Sequence, residues 1–161
     1  MIQFDVSSDS TCDLYKEYRE ERRIWFAPLT FTLDKNGKQE EGLDEFSCYQ
    51  DYIDFYKKVE DGAFPRTSML NYEAHLEHFR KMAAAGVKDV LHFSISSGLA
   101  RTVTVAKQAA EEIKKEYPEF NLYSVDPLTA TIGQGMLVSL ACDCRDKGMS
   151  AQETYDYLMD V

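Results

Sequence analysis

Serine and threonine hydroxyls gather in three short stretches: Ser7-Ser8-Asp9-Ser10-Thr11, Thr67-Ser68 and Ser94-Ile95-Ser96-Ser97-Gly98. Each stands where the pattern predicts a strand giving way to a helix. In an open parallel α/β sheet such turns collect at the carboxyl edge of the strands, so groups distant in sequence converge on one ligand. Hydroxyls backed by free helix amides suit an oxyanion. They do not by themselves suit bond cleavage. Serine and threonine are also ordinary helix caps, the simpler account of each turn taken singly. Three together are less easily explained this way, because Asn71 is placed to cap the following helix and leaves Thr67-Ser68 without that duty.

Other chemistries are poorly supported. There is no G-x-x-x-x-G-K-[ST] phosphate loop. Gly133-Gln134-Gly135 supplies two glycines of a dinucleotide turn, but Val138 stands where the third belongs and the pair falls inside a predicted helix. Ser94 occupies the first glycine position of a G-x-S-x-G nucleophile elbow. His75 and His78, three apart on a predicted helix, fit surface packing better than a metal site, and His92 in mid-strand fits a hydrogen-bonded core histidine. Cys142 and Cys144 point to different sides of a helix and chelate poorly. Asp5, Asp9, Asp13 and Asp126 lie near strand ends where a cation could bind, yet caps and turns account for Asp9, Asp13 and Asp126. No catalytic residue, metal site or cofactor is expected.

The elements that must position these residues follow from periodicity. Ile2 to Val6 alternates as a first strand, followed by a helix from Leu14 to Glu21 that Asp13 caps. Ile24 to Leu33 reads as a second strand restricted by Pro28, and Asn36-Gly37 turns a hairpin over Thr30 to Glu41 appended to the main sheet. Ser47 caps a helix striped by Tyr49, Tyr52, Ile53, Tyr56 and Val59, which Asp61-Gly62 stops. Pro65 to Leu70 is expected as a loop, and Tyr72, Leu76, Phe79 and Ala83 line a helix closed by Gly86. Asp89 to Ile95 is a strand buried on both faces. Leu99 to Tyr117 is a helix, Asn121 to Val125 a strand, and Ile132 to Asp146 a helix with Met136, Leu140 and Cys144 on one face. Ser150 to Glu153 forms a capping box, and the helix it opens has no stop signal, which is expected at a domain junction.

Bulk properties bound the class. A length of 161 residues suits one domain, and 44% hydrophobic with 29% charged residues is a globular composition. A net charge of -10 opposes non-specific attraction to nucleic acid, so no nucleic-acid partner is expected. Arg22-Arg23, following Glu20-Glu21, reads as a solvated helix face. Met1 to Val6 lacks a basic leader and no apolar run approaches the roughly 18 residues of a membrane span, pointing to the cytoplasm without integral membrane association. Cysteines 12, 48, 142 and 144 are scattered as free thiols would be, not as a disulfide framework.

Four segments in order, SSDSTCDL at 7–14, GAFPRTS at 62–68, SISSGL at 94–99 and VDPLTATIGQGMLV at 125–138, resemble the DegV family of bacterial fatty-acid-binding proteins. PLTFTL at 28–33 extends the resemblance over nearly the whole chain. It implies a three-layer α/β/α fold with a mostly parallel, Rossmann-like sheet, residues 1–161 being the family's N-terminal domain with the C-terminal domain absent or truncated. It also implies a lipid-binding protein that is not an enzyme. Such a protein holds a long-chain fatty acid by its carboxylate and presents it to the ATP-binding fatty acid kinase subunit, which forms an acyl phosphate. The carboxylate contacts would fall on Thr67, Ser68, Ser96 and Ser97, with Ser10, Thr11, Met69 and Arg101 as lining. Where the family continues its S-S-x-L turn with Ser-Gly-Thr-Tyr, this chain has Ala100-Arg101-Thr102-Val103, and Arg101 either pairs with the carboxylate or faces water. In place of the family's Gln-Pro after Thr67-Ser68 stand Met69-Leu70, a pair for touching an acyl chain or for packing. The alternative is a small hydrolase or phosphotransferase that uses the same turns to hold a phosphate, with Asp9 or Asp126 on a metal.

Overall fold

Short β-favouring segments build the central sheet of the structure, a computed structural model that describes residues 3–160. Strands β1 (Asp5–Asp9), β2 (Ile24–Ala27), β6 (Asp89–Phe93) and β7 (Asn121–Val125) lie in the order β2-β1-β6-β7, all parallel. The register sets Trp25, Ser7, His92 and Ser124 side by side across it. Because side chains alternate between faces, this polar row looks one way while Val6, Leu91 and Phe93 look the other. Helices α3 (Tyr72–Ala84) and α4 (Thr102–Glu116) cover the polar-row face around Phe79, Met82, Ala106 and Ile113. Helices α1 (Lys16–Glu21), α5 (Ile132–Asp146) and α6 (Ala151–Asp160) cover the opposite face around Phe4, Val6, Val138 and Leu158. The three-layer expectation holds.

A second sheet departs from the sequence reading. The segment from Ile24 to Leu33 is two strands, not one: chain direction changes at Pro28, which has no amide to donate to a ladder, and β3 (Thr30–Lys35) enters a separate antiparallel sheet. Its neighbours are β4 (Lys38–Leu43) and β5 (Phe64–Ser68) in the order β4-β3-β5. The hairpin is real, with Asn36 at φ 55° and Gly37 at φ 77° as a primed turn requires, but it does not join the main sheet. The expected loop at Pro65 to Leu70 is mostly β5, so Thr67 and Ser68 sit in a strand. Helix α2 (Tyr49–Glu60) buries no residue fully; Phe55 and Tyr52 meet Phe31 and Phe46 in an aromatic group belonging to this smaller unit. Neither main core cluster includes a residue between 28 and 70.

Helix ends follow local chemistry with a few shifts. Strand β1 runs past the expected Val6 to Asp9, and Ile2 lies outside the described residues. Asp13 takes a left-handed conformation behind a 3-10 turn at Ser10–Cys12, and Tyr15 rather than Asp13 precedes α1. Cys48 rather than Ser47 precedes α2, and Asp51 Oδ2 accepts from both their amides at 3.1 and 2.7 Å. Helix α4 begins at Thr102, leaving Ser97 to Arg101 in the turn before it. Helix α5 buries Gln134, Gly135, Val138, Ala141, Cys142, Cys144 and Arg145; of the expected face Cys144 is buried and Leu140 partly packed, while Met136 is 68% exposed. Arg22 is not merely solvated: it donates to Asp143 at 2.6 Å and Asp146 at 3.3 Å, tying α1 to α5. The Ser150–Glu153 box forms as expected. Asn71 Oδ1 accepts the Ala74 amide at 2.9 Å, so Asn71→Ala should lower stability by about 1 kcal/mol in urea unfolding.

Candidate functional site

Counting only the main-sheet strands, the order is 2-1-3-4, and the reversal lies between β1 and β6. Open α/β sheets bind ligands outside the strand carboxyl ends at this switch point. Here the polypeptide leaves β1 through Ser10 and Thr11, leaves β6 through Ser94 to Ser97, and returns from β7 through Asp126 to Thr131 into α5.

Asp9 ends β1 and is fully buried. Its Oδ1 accepts from Gln134 Nε2 at 2.8 Å and from the Thr11 amide at 3.2 Å, and its Oδ2 accepts from the Ile95 amide at 2.9 Å. Thr11 Oγ1 stands 2.5 Å from Asp9 Oδ1 and 2.9 Å from Gln134 Oε1. Gln134 Nε2 also donates to Ser8 Oγ at 3.1 Å, and the Ser8 hydroxyl donates to the Asp9 carbonyl. Burial raises the Asp9 carboxyl above its ordinary value despite these donors. The Thr131 amide, donating to the Thr11 carbonyl at 2.8 Å, completes the join between the first and third turns. Thr131 holds φ 56° and ψ −129°, and Leu128 φ 52°, backbone states disfavoured for side-chain-bearing residues.

Of the proposed contacts, Ser96 and Ser97 stand at this edge. The Ser96 amide donates to the Thr129 carbonyl at 3.2 Å, and Ser96 Oγ accepts from Gly98 at 3.2 Å. Ser97 is exposed; its amide donates to Asp126 Oδ1 at 3.1 Å, which also accepts from Leu128 at 3.2 Å. Burial pushes the Asp126 carboxyl up, but the Ser97 and Leu128 donors outweigh it and hold the group below its usual value. Thr67 and Ser68 are exposed on β5, opposite Phe31 and Thr30 of β3. Among the described residues no hydrogen bond joins that pair to Ser96 or Ser97. Ser10 is buried, and its Oγ accepts the Leu29 amide at 3.1 Å, bracing the crossing into the second sheet. Arg101 is exposed, Met69 is 39% exposed, and Leu70 is packed inside.

Two features escaped the sequence reading. Gln134 is fully buried at the start of α5, where its amide links Ser8, Asp9 and Thr11. A glutamine between glycines was the available signal. The histidines are the other: His75 is fully buried and His78 half-buried, and both pack from α3 onto the polar row, with ring centres 5.5 and 5.9 Å from His92. Ser7 Oγ lies 2.7 Å from His78 Nε2 and 2.9 Å from His92 Nδ1, as a hydrogen-bonded core His92 requires. Burial lowers His75 and His78 to about 4 and His92 well below its usual value.

Comparison with known proteins settles the lineage. The family model described as "Uncharacterised protein, DegV family" matches residues 3–161. The chain belongs to the DegV family. A DegV domain-containing protein of Streptococcus pyogenes is 33% identical over 160 residues, 99% of this chain and 54% of the relative. A fatty-acid-binding DegV family protein from Thermus thermophilus superposes with a TM-score of 0.76 at 26% identity, over 98% of this chain and 52% of that one. The Streptococcus pneumoniae fatty acid kinase B3 protein, loaded with linoleic acid, shares the DegV fold at a TM-score of 0.75 and 18% identity, over 98% and 53% of the two chains. The chain spans about half the length of the curated DegV relatives it matches. No helix among the described residues is long and apolar enough to cross a membrane.

Proposed function

We propose that residues 1–161 form the carboxylate-gripping lobe of a cytoplasmic long-chain fatty-acid-binding protein, non-catalytic in itself, that presents its ligand to the ATP-binding subunit of a fatty acid kinase. The meeting of hydroxyl-bearing turns at the switch point carries this reading, and the fatty-acid binders among the DegV structures support its ligand class. Ser96 and Ser97 grip the carboxylate from the β6 turn, and Thr67 and Ser68 grip it from β5. Thr11 and Arg101 line the site, Met69 touches the acyl chain, and Ser10 fixes the entry to the second sheet. The second domain of longer relatives supplies the remaining wall. Each buried methylene contributes about 0.8 kcal/mol, so the tail dominates affinity, while the hydroxyls orient the head for the kinase.

The phosphate-ester reading is weaker, because amide and side-chain donors already engage Asp9 and Asp126. The deciding experiment is mass spectrometry of fatty acid copurified with this chain and with a version extended by a second DegV domain. Lipid on the extended protein is expected, and complete absence from both sinks the proposal. Hydrogen bonds to a charged head contribute about 1.5–3 kcal/mol each. Replacing Ser96 and Ser97 together by alanine should therefore weaken oleate binding by about a hundredfold or more in a fluorescence titration.

A further inference from the structure

Protons can be counted around Asp9. If Asp9 is ionised, Thr11 Oγ1 faces two acceptors, Asp9 Oδ1 at 2.5 Å and Gln134 Oε1 at 2.9 Å, and its single hydroxyl proton serves only one. Turning the Gln134 amide over satisfies Thr11 but sets an amide oxygen against Asp9 Oδ1 at 2.8 Å. In either orientation one oxygen pair is left without a proton, although the Asp9 carboxyl and the Gln134 amide are both fully buried. One additional proton removes the conflict. Asp9 then donates to Thr11, Thr11 to Gln134 Oε1, Gln134 to Ser8 and back to Asp9, and Ser8 to the Asp9 carbonyl. No Lys, Arg or His among the described residues donates to this carboxyl. The titratable neighbour is the Cys12 thiol on the 3-10 turn, which burial keeps neutral, and the nearest cation, Arg19 of α1, faces that thiol and makes no bond to the carboxyl.

We infer that Asp9 is a neutral carboxylic acid, and that it is the positioning residue that locks the β1, β6 and α5 turns together. Its Oδ2 holds the Ile95 amide, immediately before Ser96 and Ser97. Its Oδ1 holds α5 through Gln134. As an uncharged acid it performs this join without placing a second anion behind a site for a carboxylate. The ligand-dependent part of the inference rests on the fatty-acid reading; the protonation state does not.

Carbon-13 NMR of aspartate-labelled protein reads the Asp9 carboxyl directly. The Asp9 resonance should stay at the acid form through neutral pH, and a titration in the ordinary aspartate range overturns the inference. Thr11→Val gives the sign. It removes the acceptor of the acid proton, so the Asp9 titration should move down; an ionised Asp9 would instead lose a donor and move up. Asparagine keeps an acceptor for the Ile95 amide but sets its NH2 against the Thr11 amide, 3.2 Å from Oδ1, so Asp9→Asn should lose oleate affinity by about threefold, while Asp9→Ala, which breaks every join, should lose about tenfold or more. Equal losses in the two variants overturn the positioning role. Should the wild-type chain bind no fatty acid, the functional proposal fails while the resonance still decides the protonation state.

Discussion

Acidification from neutrality should destabilise this chain before most of its carboxylates are neutralised. His75 and His78 are held neutral by burial down to about pH 4, whereas in the unfolded chain they protonate near 6.5. Between those values the unfolded state binds more protons, so stability falls with decreasing pH, by about 1.4 kcal/mol per pH unit for each histidine. Above 6.5 the effect is absent; below the folded values the loss is complete. His92 acts in the same direction. Asp9, raised by burial, acts oppositely: its contribution is full below 3.8 and is lost as pH rises towards its folded value, so with the acid kept neutral in the folded chain it offsets about one histidine across the whole window. The sum reaches several kcal/mol, a large share of the roughly 5–15 kcal/mol that holds a domain together. Urea unfolding at a series of pH values should show the midpoint dropping steadily below neutrality. A midpoint unchanged down to pH 4 would contradict the buried imidazoles.

Gly135→Ala should be strongly destabilising, against the usual rule. In a helix interior alanine is favoured over glycine by about 1 kcal/mol. At this position, however, a Cβ would stand 2.5 Å from the Cys12 carbonyl oxygen and 3.2 Å from Leu14 Cδ2. The first is backbone and cannot rotate away. Helix α5 would have to move off the 3-10 turn, parting the Thr131 amide from Thr11 and Gln134 from Asp9. We expect a net loss of about 3 kcal/mol, the upper end of overpacking penalties, together with weakened oleate binding. Increased stability in thermal unfolding would show that propensity outweighs the contact.

Much of this was readable because it is local. Helices α3 and α5, strands β6 and β7, the Asn36-Gly37 turn and the Ser150 box each announce themselves through periodicity or a cap. What failed depends on partners far along the chain. Pro28 marked a break, yet nothing local says that the residues after it enter another sheet, or that β3 will recruit Phe64 to Ser68 as its third strand. Met136 was misplaced on the α5 face because it matches the period, while the buried groups include Gln134 and Arg145, whose polar ends are satisfied by Asp9 and by the Arg22 carbonyl. His75 and His78 looked like surface residues until the register placed His92 and Ser7 beneath them.

The independence of residues 28–70 from both core clusters bears on how the proposed grip is assembled. Remove that stretch, and β1, α1, β2, α3, β6, α4, β7 and α5 remain as an uninterrupted doubly wound unit, with β2 feeding α3 directly. The second sheet is thus an insertion with aromatic packing of its own, entering at Pro28 and leaving at Leu70. One half of the proposed grip belongs to a generic scaffold and the other to this accessory. Selectivity can be altered in the accessory alone, leaving the scaffold's core untouched.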